Sequence, residues 1–193
     1  MTATLFGSEW FRAVELDAED IAGLQRFFDE NPEYFVIVTG KGPQASEAAD
    51  EFGPLPEAFS YTKKWVIGFV DESGSMIGMA AVVSDLIAQH VWHIGLFIVA
   101  TRLHGTGVAR RLFEHLERWA QERGAQWLRL GVVEGNARGE CFWQRCGFVE
   151  TRKRDGVQIG ARTHTIRVMF KPLAGGNLPE YLALVARDRP DAS

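Results

Sequence analysis

The residues with the clearest chemical potential form the turn R-L-H-G-T-G, from Arg102 to Gly107. An apolar run precedes this turn, and a helix with one apolar face follows it. Glycines let the backbone approach a ligand closely, and the first N–H groups of a helix have no intrahelical partner. The positive end of the helix dipole adds to the attraction for negative charge. The turn therefore predicts a binding site for an anion such as a diphosphate.

The spacing of the glycines distinguishes this turn from the common nucleotide motifs. A dinucleotide fingerprint G-x-G-x-x-G would need glycine at position 110, where Arg110 stands. A P-loop would need Gly-Lys-Ser/Thr at the start of the helix, but the chain reads Gly107-Val108-Ala109. The missing lysine also disfavours a nucleotide-binding switch.

A second segment, from Asn136 to Phe148, reads N-A-R-G-E-C-F-W-Q-R-C-G-F. It resembles the signature N-x-x-A-x-x-L/F-Y/W-x-x-x-G-F of the GNAT superfamily of acyl-CoA N-acyltransferases. The glycine turn resembles that family's phosphate signature, Q/R-x-x-G-x-G/A, with Arg102, Gly105 and Gly107 at the fixed positions. The signatures stand in the expected order with a strand between them. The chain is therefore similar to this family, most closely from Trp92 to Phe148.

The resemblance implies an N-acetyltransferase that moves an acetyl group from acetyl-CoA to a primary amine. The acceptor would be a small molecule or a peptide, and transfer would be direct, through a ternary complex. The alternative is a non-catalytic acyl-CoA-binding domain with a sensor or regulatory role, which would keep the phosphate turn and lose the acid and base. The implied fold is α/β (α+β), a mixed, centrally splayed sheet of about seven strands flanked by helices.

Composition and charge restrict the other classes. The chain has 193 residues, of which 46% are hydrophobic and 24% charged, and its net charge is −4. This balance is ordinary for a globular protein and disfavours nucleic acid as a partner. The chain has neither an apolar run of about 18 residues nor a signal-peptide pattern before Trp10, so we expect a cytoplasmic protein without a membrane partner. Cys141 and Cys146 match no metal-binding spacing, and no metal is expected.

The pattern of apolar residues predicts one GNAT-like domain over residues 1–172 and a C-terminal tail over 173–193. Helices are expected after an N-cap at Asp17, after Gly107 and from Ala137 to Cys146, whereas Tyr34 to Ser60 looks irregular, with a β-branched run at Val36 to Thr39. Alternating or apolar runs predict the strands Phe11–Leu16, Lys64–Asp71, Met76–Ser84, Val91–Val99, Trp127–Val133, Phe148–Arg154 and Thr163–Lys171. The tail carries a short apolar pattern that would pack on its own domain or associate with a second copy. A homodimer is therefore possible, and packing on the same chain is favoured.

The resemblance also implies which residues bind the cofactor. The pantetheine arm would pair with the strand edge at Ile98 and Val99, and the diphosphate would lie against the N–H groups of the turn. Asn136 would contact pantetheine, and the Phe142-Trp143 pair would flank its thiol end. The residues expected in the phosphate turn are Arg102, Leu103, His104, Gly105, Thr106, Gly107 and Val108.

Acetyl transfer needs a neutral amine, donors for the oxyanion and a leaving thiolate. Many family members place a tyrosine, as a candidate general acid, where this chain has Trp143, and indole cannot supply that proton. Some family members carry a glutamate base on the strand before the phosphate turn, where this chain has Trp92 and His93. Others carry it on the strand that corresponds to Trp127–Val133, where this chain has Gly131. His93 is therefore the best candidate base, because an imidazole is mostly neutral at pH 7. Glu134 is an alternative.

The acceptor pocket is expected in the irregular segment and at neighbouring strand ends. Tyr34 and Phe35 could enclose an apolar amine, and Asp85 could bind a cation. Asn31 is a further polar candidate. Neither family signature contacts the acceptor, so the choice of amine depends on these less regular parts of the chain.

Overall fold

The computed structural model describes residues 3–192, so residues 1, 2 and 193 of the expected domain and tail lie outside the described part. Eight strands and six helices follow one another along the chain. They are β1 (Thr4–Ser8), β2 (Phe11–Glu15), α1 (Ile21–Glu30), α2 (Glu33–Thr39), α3 (Glu47–Asp50), β3 (Lys63–Asp71), β4 (Met76–Ser84), β5 (Val91–Val99), α4 (Val108–Glu122), β6 (Trp127–Val133), α5 (Ala137–Arg145), β7 (Val149–Ile159), β8 (Arg162–Pro172) and α6 (Leu178–Leu184).

The strands form one mixed sheet in the order β1-β2-β3-β4-β5-β6-β8-β7. Every neighbouring pair is antiparallel except β5 and β6, which are parallel and are connected through α4. This arrangement confirms the expected mixed α/β sheet flanked by helices.

The sheet is splayed at its centre, between β5 and β6. The two strands pair only from Val91–Trp127 to Ile94–Leu130, although β5 continues to Val99. On its other side β5 contains a bulge, because Val82 of β4 pairs with Ile94 and the next β4 partner skips Gly95. An extra residue in one strand bends that strand and increases its local twist. The bulge therefore turns β5 away from β6 and opens a cleft between their ends.

Helices cover both faces of the sheet. The face under α4 holds a cluster that includes Leu112, Leu116 and Trp119, three or four residues apart as the sequence predicts. The opposite face is covered by α1 and α2, whose Leu24 and Phe35 are buried. The expected N-cap of the first helical segment is a capping box between Asp17 and Asp20.

The structure differs from several local expectations, and one of them is the length of β7, which continues to Ile159 where the sequence predicts an end at Arg154. The sheet has eight strands rather than about seven, because the short edge strand β1 at Thr4–Ser8 gives too brief an apolar pattern to be predicted. The β-branched run Val36 to Thr39 lies in α2, which begins after Pro32 and ends before Gly40 at a φ of +85°. Proline at the start and a left-handed glycine at the end both favour a helix over the local strand propensity.

The C-terminal segment packs on the sheet of its own chain. Its helix α6 begins with a capping box between Asn177 and Glu180. The Tyr181 ring is fully buried, 4.6 Å from the Phe170 ring and 5.6 Å from the Trp127 ring, measured between centroids. Within residues 3–192, no helix combines the length and apolar character needed to cross a bilayer.

Candidate active site

A cavity of about 770 Å³ occupies the cleft between the diverging ends of β5 and β6. The glycine turn and α5 line one end of it, and α2 with the β7–β8 hairpin lines the other. Its volume lies within the usual range for ligand pockets. The cavity is therefore large enough for a long, flexible ligand that spans the sheet.

The glycine turn presents free backbone donors at one end of this cavity. Gly105 and Gly107 adopt φ values of +78° and +84°, which other residues rarely adopt. Three N–H groups are used within the turn: Leu103 donates to the Ala100 carbonyl, His104 to that of Thr101 and Thr106 to that of Leu103. The Val108 N–H donates to Thr106 Oγ1 at 3.4 Å. From Leu103 into α4, the N–H groups with no hydrogen-bond partner among residues 3–192 are those of Gly105, Gly107, Ala109 and Arg110. The available donors thus extend two residues further into α4, to Arg110, than the sequence predicts.

The turn is anchored to the rest of the fold by Asn31. Its Oδ1 accepts a hydrogen bond from the Thr101 N–H at 2.7 Å, and its Nδ2 donates to the Phe27 carbonyl at 2.7 Å. Asn31 lines the cavity, but both ends of its side chain are used in connecting the end of α1 to the start of the turn. This side chain therefore positions the turn.

Replacement of Asn31 by alanine should lower the free energy of unfolding by about 1–3 kcal/mol, because the partly buried Thr101 N–H loses its partner. The affinity for CoA should fall as well, since the turn loses its anchor. Urea denaturation and calorimetric titration measure the two effects. Asn31→Asp, which retains the acceptor for Thr101, should preserve more CoA affinity; equal affinity in Asn31→Ala and the wild type would contradict the anchoring role.

The edge of β5 offers further backbone groups to the cleft. The Ala100 N–H donates to the Ile77 carbonyl of β4, and backbone groups alternate in direction along a strand. Val99 and Phe97 therefore direct their N–H and C=O groups into the cleft, whereas those of Ile98 face β4. His104 Nε2 already lies 2.9 Å from the Val99 oxygen.

The three residues of the second signature that are expected to contact the cofactor, Asn136, Phe142 and Trp143, all line the cavity. Asn136 caps α5 by accepting from the Gly139 N–H at 3.1 Å, which leaves its Nδ2 free to donate. The Phe142 ring stacks on Phe97 with centroids 5.8 Å apart and an interplanar angle of 11°. Trp143 is 8% exposed and packs edge-on against the Phe113 ring. Phe142 and Trp143 thus form an aromatic wall of the cavity.

His93 lines the cavity on β5, just before the bulge. Its Nδ1 lies 3.3 Å from Nη1 of Arg129, which is its register partner on β6. Burial and, next, the Arg129 guanidinium lower the pKa of His93 to about 3. The imidazole is therefore neutral throughout the physiological range, and its basicity is weak.

Arg129 is itself buried and paired. Its Nε and Nη2 donate to Asp188 Oδ2 and Oδ1 at 2.7 and 2.8 Å, and the Tyr181 hydroxyl donates to Asp188 Oδ2 at 2.6 Å. Asp188 and Tyr181 come from the C-terminal segment, and both are 0% exposed. The sequence prediction missed this group of residues. A charged residue inside the otherwise apolar strand β6 was the signal, because a buried charge needs a partner.

The remaining predicted residues are distributed between the cavity and the fold. Tyr34 lines the cavity, and burial, with Glu51 and Glu47 nearby, raises its pKa to about 12. Phe35 packs against Phe28 in the core, and Asp85 accepts a hydrogen bond from the His90 N–H at 2.7 Å; neither of them lines the cavity.

Arg102 and Glu134 also lie outside the cavity lining. The charge of Arg102 acts on Asp71, in the β3–β4 hairpin, and contributes to the lowered pKa of that carboxyl after its hydrogen bonds to Ser73 and Ser75. Glu134 forms ion pairs with Lys153 and Arg167, and the Lys153 hydrogen bond lowers its pKa. Both side chains are therefore engaged away from the cleft.

The cavity is electropositive. Among its described lining residues the one carboxylate is Glu33, whose Oε2 lies 2.6 Å from Arg138 Nη1. The arginines that line the cavity are Arg110, Arg129, Arg138, Arg145 and Arg154. Residues 3–192 contain no group of three or more His, Cys, Asp or Glu side chains that could bind a metal ion. The cavity therefore suits a ligand with several negative charges at the glycine-turn end.

Known structures share this fold. A spermidine N-acetyltransferase from Vibrio cholerae, solved with CoA and spermine, matches with a TM-score of 0.67 at 15% identity, covering 86% of this chain and 98% of that one. The ribosomal-protein-S18-alanine N-acetyltransferase from Escherichia coli matches with a TM-score of 0.63 at 17% identity, over 86% of this chain and 96% of that one. An acetyltransferase from Thermus thermophilus matches with a TM-score of 0.64 at 18% identity, covering 89% of this chain and 100% of that one.

No curated protein sequence is significantly similar to the chain. A sequence model of the acetyltransferase (GNAT) family matches residues 8–148, which is most of the chain and includes both signatures. This match agrees with the splayed sheet, the free N–H groups of the glycine turn and the aromatic wall. The chain belongs to the GNAT acetyltransferase family.

Proposed function

We propose that the protein is an N-acetyltransferase that transfers an acetyl group from acetyl-CoA to the primary amine of a small molecule or a peptide. The observation that carries this proposal is the continuous cleft from the free N–H groups of the glycine turn, along the Val99 and Phe97 backbone, to His93. Backbone donors at a helix start suit the diphosphate, and the backbone groups that β5 directs into the cleft suit the amide groups of pantetheine.

This path would place the reacting thioester near the bulge at Gly95. Gly95 lies about four residues before Val99 in β5, or about 13 Å along an extended strand. Gly95 lines the cavity, and its missing side chain leaves the space beside the strand open. The acyl group would thus reach the point where β5 and β6 separate.

The residues favour direct transfer through a ternary complex. Burial raises the pKa of Cys146, one of the two cysteines that line the cavity, to about 11, so this thiol is a poor nucleophile for an acyl-enzyme intermediate. The amine nitrogen would attack the thioester carbonyl, the C–S bond would break, and water would accept the amine proton. A thiol with an ordinary pKa of about 8.5 can leave without a general acid, so the packing of Trp143 is compatible with turnover.

The acceptor end of the cavity indicates the class of amine. It is walled by Ile37, Ile159 and Ile166, and it includes Arg154, whose guanidinium has no ion-pair or hydrogen-bond partner among residues 3–192. Arg154 also lies near Arg187. The pKa of Arg187 is lowered first by burial, then by the Arg129 charge and then by the Arg154 charge. An acceptor with an apolar body and an anionic group, such as a carboxylate, suits this end better than a polyamine.

The experiment measures release of CoA thiol from acetyl-CoA over a panel of amines, with mass spectrometry of the products. Apolar amino acids and peptides with a free amine should be acetylated, and spermidine should be a poor acceptor. Stabilisation of the protein by CoA without acetylation of any amine would support the non-catalytic acyl-CoA-binding alternative instead.

Replacement of Arg154 by alanine should raise KM for an anionic acceptor by about tenfold or more, which corresponds to loss of one charge-assisted contact. KM for acetyl-CoA should remain unchanged. Lys153→Ala is the matched control, because this neighbour pairs with Glu134 and lies outside the cavity lining. An equal effect of the two variants on the acceptor KM would contradict the assignment of Arg154.

A further inference from the structure

The C-terminal segment reaches the candidate active site through a continuous chain of polar contacts. The Tyr181 hydroxyl donates to Asp188, Asp188 accepts two hydrogen bonds from Arg129, and Arg129 Nη1 lies 3.3 Å from His93 Nδ1. Arg129 and His93 both line the cavity, and His93 is the end of this series of contacts. This series of contacts therefore determines the orientation and protonation of the His93 ring toward a ligand in the cavity.

The contact with Arg129 determines the tautomer of His93. A guanidinium can only donate, so Nδ1 of His93 must accept and carries no proton. In a neutral imidazole the proton then resides on Nε2. His93 consequently presents an N–H donor on its free side and has no lone pair there to act as a base.

The ring is oriented so that this donor faces the bulge. A Cβ placed on Gly95 would lie 4.0 Å from His93 Cδ2, the ring atom bonded to Nε2. The Nδ1 side of the ring faces Arg129, so the Nε2 side is directed toward Gly95 and the cavity. This is the place that the cofactor path along Val99 and Phe97 assigns to the thioester.

We propose that His93 donates a hydrogen bond from Nε2 to the thioester oxygen, and that Arg129, Asp188 and Tyr181 are positioning residues that fix this donor. When the amine attacks, the carbonyl electron pair moves to the oxygen, which the Nε2–H then stabilises until the C–S bond breaks. This assigns to His93 a role opposite to the general base that its type and position in the sequence suggest. The inference rests on the proposed acetyl transfer.

The charged groups around His93 agree with a donor that does not titrate. Arg129 faces it from β6, and Asp188 and Arg187 face it from the C-terminal segment. Burial and the arginine charges disfavour a second proton on His93, and the Asp188 charge and a hydrogen bond to the Arg129 backbone oppose them only in part. The imidazole should therefore stay neutral between about pH 5 and about pH 8.

Paired substitutions in the full chain test the chemical role. Glutamine places an amide N–H near the position of Nε2, whereas leucine provides only volume. His93→Gln should retain kcat within about tenfold, and His93→Leu should lose about 100-fold or more, the usual effect of one oxyanion donor. KM for acetyl-CoA should change little in either variant. Equal losses in the two variants, or a wild-type kcat that falls with a histidine-like pKa as the pH is lowered, would overturn the donor role.

Nitrogen NMR of the imidazole tests the network without any turnover. The wild type should show a single neutral tautomer, protonated at Nε2 and unchanged between about pH 5 and about pH 8. Asp188→Asn and the milder Tyr181→Phe, each checked for folding by circular dichroism, should shift or broaden these signals. Asp191→Asn, the same change at an exposed residue of the same segment, should leave them unchanged.

A His93 ring protonated at Nδ1, or one that titrates near its ordinary pKa of about 6.5, would overturn the inference. If the wild type acetylates no amine while the NMR signals are as expected, the proposed function fails and the positioning network stands. If amines are acetylated and the tautomer is the opposite one, the inference fails and the proposed function stands.

Discussion

Replacement of Gly105 by glutamate should abolish CoA binding, raising its Kd by about 100-fold or more. The new carboxylate would stand beside the N–H groups assigned to the diphosphate. Two unit charges about 4 Å apart repel by about 4 kcal/mol at a protein surface, and 1.4 kcal/mol is about a tenfold change in Kd. The left-handed φ of +78° adds backbone strain for any residue with a side chain. Calorimetric titration with CoA measures the result.

Gly74→Glu is the matched control for this substitution. Gly74 also has a left-handed φ, of +83°, and a Cβ there would meet open space, as it would at Gly105. It lies in the β3–β4 hairpin and outside the cavity lining, so this variant should bind CoA with the wild-type Kd. Unchanged CoA affinity in Gly105→Glu would refute the location of the diphosphate.

Removal of either partner of the Arg129–Asp188 pair should lower the free energy of unfolding by about 3–5 kcal/mol, because the other charge is left buried and unpaired. The double variant Arg129→Met, Asp188→Leu should lose much less than the sum of the single variants, since both charges are removed together. Urea denaturation of the four proteins measures the coupling. If each single variant lowered the free energy of unfolding by less than about 1 kcal/mol and the two effects were additive, the pair would contribute no more than an exposed ion pair, which would contradict the prediction.

The stabilisation of the fold by the Arg129–Asp188 pair should decrease as the pH is lowered. Burial opposes ionisation of Asp188, but its hydrogen bonds to Arg129 and the Arg129 charge outweigh this effect, and the pKa lies below its usual range. A lowered pKa stabilises the fold above the unfolded-state value of about 3.9, and this stabilisation is lost as the pH falls through the folded-state value. The difference in unfolding free energy between the wild type and the double variant should be constant from about pH 8 to about pH 5 and narrow below about pH 4.

The regular parts of the fold follow from local patterns in the sequence. The strand at Trp127–Val133 has the predicted bounds, and the helix after the glycine turn begins at Val108 as expected. Apolar spacing and glycine positions determine these elements locally, so a single sequence is sufficient. The splay depends instead on the bulge at Gly95, which is visible only in the pairing of β4 with β5.

The donor side of the candidate site was more predictable than its catalytic side. Spacing alone is sufficient to predict the glycine turn, because the glycines determine its backbone conformation and leave N–H groups free. The environment of His93 depends on Asp188, which lies 59 residues after Arg129 in the chain. No local pattern links residues so far apart, and the sequence therefore suggests a base at His93, whereas the tertiary contacts lead us to propose a donor.

We propose that acetyl-CoA lies in the cleft between β5 and β6, and a crystal structure of the CoA complex would locate it. The diphosphate should contact the N–H groups of Gly105, Gly107 and Ala109, pantetheine should pair with the Val99 and Phe97 backbone, and the thiol should end near Gly95 and His93. A CoA molecule bound outside this cleft, or one whose thiol points away from Gly95, would contradict the account.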